Sequence, residues 1–153
     1  PEAMPMKQPS SRIPFGYQEE VKSNLKTMLN EGIIEKSSSE WSSLLVLVGK
    51  PSGDLRICVD YRRLNKVTAV TSYPLPNITE TIDRLAGASY FTSIDMTSGY
   101  HQVEIAEEDK EKTAFILPYG LYQYCRMPFG LAGAPGTFQS VIEDMCWYWI
   151  QRT

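Results

Sequence analysis

The chain has 153 residues, enough for one domain that buries roughly 70% of its unfolded surface, and its 42% hydrophobic and 22% charged content is that of an ordinary globular protein. A formal net charge of −3 argues against an autonomous nucleic-acid binder with a uniformly basic face. No apolar run approaches the ~20 residues of a membrane span, and Cys58, Cys125 and Cys146 form neither a disulfide framework nor a zinc spacing, so reduced, buried thiols are the expectation.

Pro1 to Ser11 is rich in proline and polar residues and reads as a flexible N-terminal segment. The first helix is predicted over Tyr17 to Asn30. Val21, Leu25, Met28 and Leu29 recur at helical spacing, Glu19 and Glu20 suit the positive end of the helix dipole, and Gly32 stops it. Ile33 to Lys36 is a short strand candidate, and Leu44 to Val48 reads as a buried strand. Pro51-Ser-Gly-Asp54 is turn chemistry, and Leu55 to Tyr61 returns as the second arm of a hairpin. Charge is uneven here. Lys50, Arg56, Arg62, Arg63 and Lys66 face only Asp54 and Asp60, whereas residues 104–112 are predominantly acidic. The basic stretch is either a phosphate-facing patch or a solvated mixed surface.

Tyr61 to Asn65 is predicted as a helical turn, followed by an extended connection fixed by Pro74 and Pro76. Asn77 caps a helix over Ile78 to Leu85, with Glu80 at its third position, Ile78, Ile82 and Leu85 on one face, and Gly87 as terminator. Tyr90 to Val103 then carries the central pattern. Phe91, Ser93 and Asp95 alternate with Thr92, Ile94 and Met96, which predicts a half-buried strand. Asp95 stands at its end, before Thr97-Ser98-Gly99. Two readings remain open: a turn-former capping Ser98 or Gly99, or a carboxylate placed to hold Mg²⁺ with substrate phosphates.

Tyr100 to Ile105 resumes an extended pattern, and His101, the single histidine, has no partner motif and reads as structural. Glu107 to Lys112 is an acidic helical turn. Thr113 to Leu117 and Leu121 to Tyr124 flank Pro118-Tyr119-Gly120 as a second hairpin. A last helix begins near Pro135, with Phe138, Val141, Ile142 and Met145 on its apolar face.

Four motifs in this order resemble the reverse transcriptases of LTR retrotransposons of the Ty3/gypsy type. They are Arg56-Ile-Cys-Val-Asp-Tyr-Arg-Arg-Leu-Asn-Lys66 with Tyr73-Pro-Leu-Pro76, Tyr90 to Val103, Thr113-Ala-Phe-Ile, and Met127 to Gln139. The resemblance covers roughly residues 12 to 147. It implies an α+β right-hand polymerase fold: fingers at about 12–76 and 106–130, palm at about 77–105, a palm helix at about 131–153, and no thumb. It implies nucleotidyl transfer from a dNTP to a primer 3′-hydroxyl on an RNA or DNA template, with two Mg²⁺ ions, or Mn²⁺ in their place. Asp95 and the Met96 backbone carbonyl would be metal ligands. Lys50 and Arg56 would meet the triphosphate, Tyr100 would be the steric gate against ribonucleotides, and Phe129 and Gly130 would lie beside the nucleotide. Gly133 and Gly136 depart from the family's usual Asn and Ala, and Gly136 should weaken the helix start.

The family's Tyr-x-Asp-Asp motif has no counterpart, since no two aspartates are adjacent in the sequence. The chain is therefore expected to be an N-terminal fragment that is inactive alone, working with the thumb and RNase H regions of a Pol polyprotein. The alternative is a non-catalytic remnant that binds nucleic acid or protein. A sheet edge left open beside Asp95 would favour self-association. The expected location is intracellular, in a cytoplasmic particle or the nucleus, with no membrane partner.

Overall fold

The computed structural model describes residues 3–49, 55–70 and 72–150, the side chains of 55, 56 and 147–150 excepted. Helix α1, Gln18–Asn30, follows a 3₁₀ turn at Phe15–Tyr17. It buries Val21 and Leu25, as the spacing predicts. Its end is a Schellman motif: Ile33 N–H donates to the Met28 carbonyl and Gly32 N–H to that of Leu29, with Gly32 at φ +66°.

The strands are β1 (Ile34–Lys36), β2 (Ser43–Gly49), β3 (Leu55–Asp60), β4 (Phe115–Leu117) and β5 (Gly120–Tyr124). They form a five-stranded sheet in the order β1-β5-β4-β2-β3. β2 runs parallel to β4, and the other pairs are antiparallel. One face carries Ile34, Leu45, Val59, Phe115, Leu117, Tyr122 and Tyr124 into a core closed by Val21 and Leu25 of α1 and by Ile13. Tyr61 is almost fully buried, and its hydroxyl donates to the Thr113 carbonyl at 2.8 Å, so a polar group in the core stays satisfied. Within the segment that composition marks as flexible, Met6 and Gln8 hydrogen-bond the Ser42 backbone, and Ser11 Oγ donates to the Leu45 carbonyl.

Helix α2 is Arg62–Val67 and α3 is Ile78–Arg84, the latter capped by Asn77, whose side chain accepts from Thr79 N–H at 2.9 Å. The expected capping residue is correct, but α3 buries no residue: Ile78, Ile82 and Leu85 are exposed. Helix α4 is Glu107–Lys110, extended by a 3₁₀ turn at Glu111–Thr113, and α5 is Ala134–Ile150.

Three expectations are corrected. The strand predicted over Phe91 to Met96 is absent, and Tyr90, Phe91 and Ile94 are exposed. A strand exists only where a neighbour takes its backbone hydrogen bonds, and none of the strands among the described residues pairs with this segment. Tyr100 does not resume an extended run. Gly99–Gln102 is a 3₁₀ turn entered through Ser98 at φ +50°, and only Glu104 forms a bridge, to Arg126. The thiols are not buried: Cys146 is exposed on α5, and Cys58 and Cys125 are half-buried.

Candidate functional site

The turn at Gly99–Gln102 is held from both ends. Gln102 Nε2 donates to the Thr97 carbonyl at 2.9 Å, closing the turn on itself. Met127 N–H donates to the Val103 carbonyl at 2.8 Å, and Ile105 N–H to that of Cys125 at 3.0 Å. Arg126 adds an ion pair with Glu104 at 3.1 Å. Residues 103–105 are thereby fixed against 125–127, which brings Tyr100 and Phe129 together.

The Tyr100 ring lies 4.8 Å from that of Phe129, tilted by 37°, and 5.1 Å from Phe138 of α5 in an edge contact. These separations suit attractive aromatic pairing. Phe138 also packs against Gly99, where a Cβ would stand 2.6 Å from the Phe138 Cζ and force the ring to shift. Gly130 adopts φ +93°, a left-handed conformation that glycine takes without strain, and the Val59 carbonyl and the Tyr61 ring stand over it. His101 meets Phe129 edge-on at 5.5 Å. Partial burial lowers its pKa below the ordinary histidine value, with Glu31 acting weakly in the other direction.

The structure thus brings together Tyr100, Phe129 and Gly130. Sequence reasoning treated Phe138 only as part of an apolar helix face and passed over Gly99 as a break. The signal was Ser98-Gly99-Tyr100 itself, since a glycine next to a site aromatic marks a close approach. Asp95 is exposed and precedes this cluster in an irregular segment, and Met96 is half-buried. The capping alternative for Asp95 is not realised, because no hydrogen bond joins its side chain to Ser98 or Gly99. Lys50 lies outside the described residues. Arg56 enters through its backbone alone, opposite Val48 in the β2–β3 hairpin.

The basic stretch is only partly free. Arg62 grips Asp60 with Nε–Oδ1 at 2.9 Å and Nη2–Oδ2 at 2.6 Å, and this holds the Asp60 carboxyl below its usual pKa. Arg63 and Lys66 have no acidic partner among the described residues, and with Arg62 they line an open groove of about 380 Å³. Among the described residues no three His, Cys, Asp or Glu side chains converge on a metal position. Asp95 with the Met96 carbonyl offers one carboxylate and one neutral oxygen. That set fits a single Mg²⁺ completed by substrate phosphates, not a two-ion clamp.

A family model described as "Reverse transcriptase (RNA-dependent DNA polymerase)" matches residues 48–153. The chain is 41% identical over 131 residues to a retrovirus-related Pol polyprotein from transposon 297 of Drosophila melanogaster, spanning 82% of this chain and 12% of that protein. In fold it is similar to the prototype foamy virus protease–reverse transcriptase, with TM-score 0.84 at 23% identity over 94% of this chain and 19% of that one. A structure of the foamy viral protein in complex with RNA/DNA hybrid is similar at TM-score 0.78 and 20% identity, covering 93% of this chain and 19% of the other.

Proposed function

The chain belongs to the reverse transcriptase family, and from that premise we propose that it carries the nucleotide-gripping part of an RNA-directed DNA polymerase. The observation that carries this reading is the ring contact of Tyr100 with Phe129 at 4.8 Å, next to the left-handed Gly130. Residues assigned to the nucleotide from two separate motifs, Tyr100 from one and Phe129 with Gly130 from the other, stand in one place. In this reading the Tyr100 ring blocks the space a 2′-hydroxyl would occupy. Phe129 offers a flat ring beside the Gly130 turn to the nucleotide, and Arg56 with Lys50 meets the triphosphate. A guanidinium fork suits phosphate oxygens. Arg63 and Lys66, beside the Asp60-paired Arg62, supply positive charge for a template or primer backbone.

Asp95 stands as the one site carboxylate, holding Mg²⁺ or Mn²⁺ together with the nucleotide's own phosphates. Nucleotide joining needs two ions clamping the attacking and leaving oxygens, and in this reading Asp95 is the one carboxylate assigned to metal, the sequence having no Asp-Asp pair. The residues therefore bind and orient a dNTP without joining it to a primer. The remaining Pol regions, including thumb and RNase H, are the proposed partners that complete the reaction.

The test is Mg²⁺-dependent dNTP binding by the purified chain. Binding should fall in Asp95→Asn and in Arg56→Ala while the fold persists. Binding that is independent of Mg²⁺ and unchanged in both variants would remove the reading.

A further inference from the structure

Asn65 lies on α2, outside the motif that carries Phe129 and Gly130, yet its carboxamide is spent on the loop that holds both. Its Nδ2 donates to the Gly130 carbonyl at 2.8 Å, and its Oδ1 accepts from Ala132 N–H at 2.9 Å. One side chain thus satisfies a carbonyl and an N–H on either side of Leu131, in the manner of a peptide group in a ladder. Only a primary amide offers a donor and an acceptor on one fork at this spacing. The opposite orientation of the amide would set two donors and two acceptors against each other, so the contact defines the orientation.

The anchor under Asn65 is tied into the core. Its own backbone N–H donates to the Tyr61 carbonyl at 2.8 Å, its neighbour Leu64 is buried, and Tyr61 is locked in the core by its bond to Thr113. From that anchor the connection runs through Gly130 to Phe129, and from Phe129 to the Tyr100 ring. Tyr100 therefore rests on two struts. Phe138 belongs to α5, and Phe129 is held by the turn that Asn65 clamps.

We infer that Asn65 is a positioning residue for sugar selection, setting through the 129–132 turn where the Tyr100 ring stands. The inference rests on the reading of Tyr100 as the gate against a 2′-hydroxyl. Asn65→Ala removes both hydrogen bonds. Asn65→Asp keeps the size and the acceptor but turns an oxygen toward the Gly130 carbonyl. Asn65→Gln keeps both groups on a longer arm.

The experiment compares these variants with the unaltered chain by two readouts. One is the nuclear Overhauser contact of the Tyr100 ring with Phe129 and with Phe138. The other is the ratio of dCTP to CTP affinity in Mg²⁺. In Asn65→Ala and Asn65→Asp the Tyr100–Phe129 contact should weaken while the Tyr100–Phe138 contact persists. The dCTP preference should drop by about three- to tenfold, the scale of one or two lost net hydrogen bonds, and Asn65→Gln should recover part of it. An unchanged Tyr100–Phe129 contact in a folded Asn65→Asp variant overturns the inference, whatever the nucleotide data. A loosened contact with an unaltered preference also overturns it. If the unaltered chain binds dCTP and CTP equally, the gate reading fails first, and the inference falls with it.

Discussion

The sheet with α1 and the segment from Ser72 to Ser98 are built from similar residues, yet only the first becomes a core. Leu45, Val59 and Phe115 are 2%, 8% and 1% exposed, whereas Ile78, Ile82 and Ile94 are 78%, 62% and 87% exposed. Both regions show correct local chemistry. The α1 stop and the Asn77 cap each form as their residues dictate. The difference lies in partners. An apolar face lowers the free energy of a fold only when a second face removes it from water, and β2, β4 and β5 find theirs in one another and in α1. The lesson is that local pattern specifies an element's type, while burial depends on what lies opposite.

The sharpest way to break this contrast is paired truncation. Phe115 packs between Tyr122 and Tyr124, with ring separations of 5.9 and 5.3 Å. Phe115→Ala should cost about 3–5 kcal/mol in denaturant unfolding, and Ile94→Ala should stay within about 0.5 kcal/mol. A loss above roughly 2 kcal/mol for Ile94→Ala would show that the second region is packed in solution after all.

A smaller effect probes the boundary where the core meets the site. Gly130 takes φ +93° beside the Val59 carbonyl. Gly130→Ala should lose about 1–2 kcal/mol to backbone strain and weaken dNTP binding, whereas Gly16→Ala, in open space without positive φ, should do neither. Equal behaviour of the two variants in thermal unfolding would contradict the strained turn.

The smallest effect is a pH dependence. The His101 pKa lies below its unfolded value because part-burial disfavours the imidazolium. As pH falls through about 6.5, the unfolded chain takes up this proton first, so the stability contribution present at neutral pH is lost until the folded pKa is passed. His101→Gln should flatten the unfolding midpoint between about pH 7 and 5. The Asp60–Arg62 contribution behaves separately: it is present above the ordinary aspartate range and lost only below it, because the Asp60 pKa is lowered by its arginine. A midpoint that rises on acidification through pH 6.5 would contradict the sign for His101.

The sheet was legible in the sequence because Leu55 to Tyr61 and Leu44 to Val48 carry periodicity, turn chemistry and apolarity that agree. The cap at Asn77 and the stop at Gly32 were legible for the same reason. Phe91 to Met96 misled because alternation reports a strand's two faces but not its neighbour. Within the candidate site, Tyr100, Phe129 and Gly130 were assigned through motif resemblance. Gly99, Phe138 and Asn65 were not, because their roles consist of contacts between segments distant in the chain. Asn65 in Leu64-Asn65-Lys66 looks like any helix residue until the 130–132 backbone is set against it.

In the proposed function these residues grip a nucleotide with one metal-binding carboxylate, Asp95, and do not join it to a primer. Primer extension by the purified 153-residue chain, with primer–template, dNTPs and either Mg²⁺ or Mn²⁺, tests it most directly. No product above the protein-free control is expected. Reproducible, template-dependent extension abolished by Asp95→Asn would contradict it.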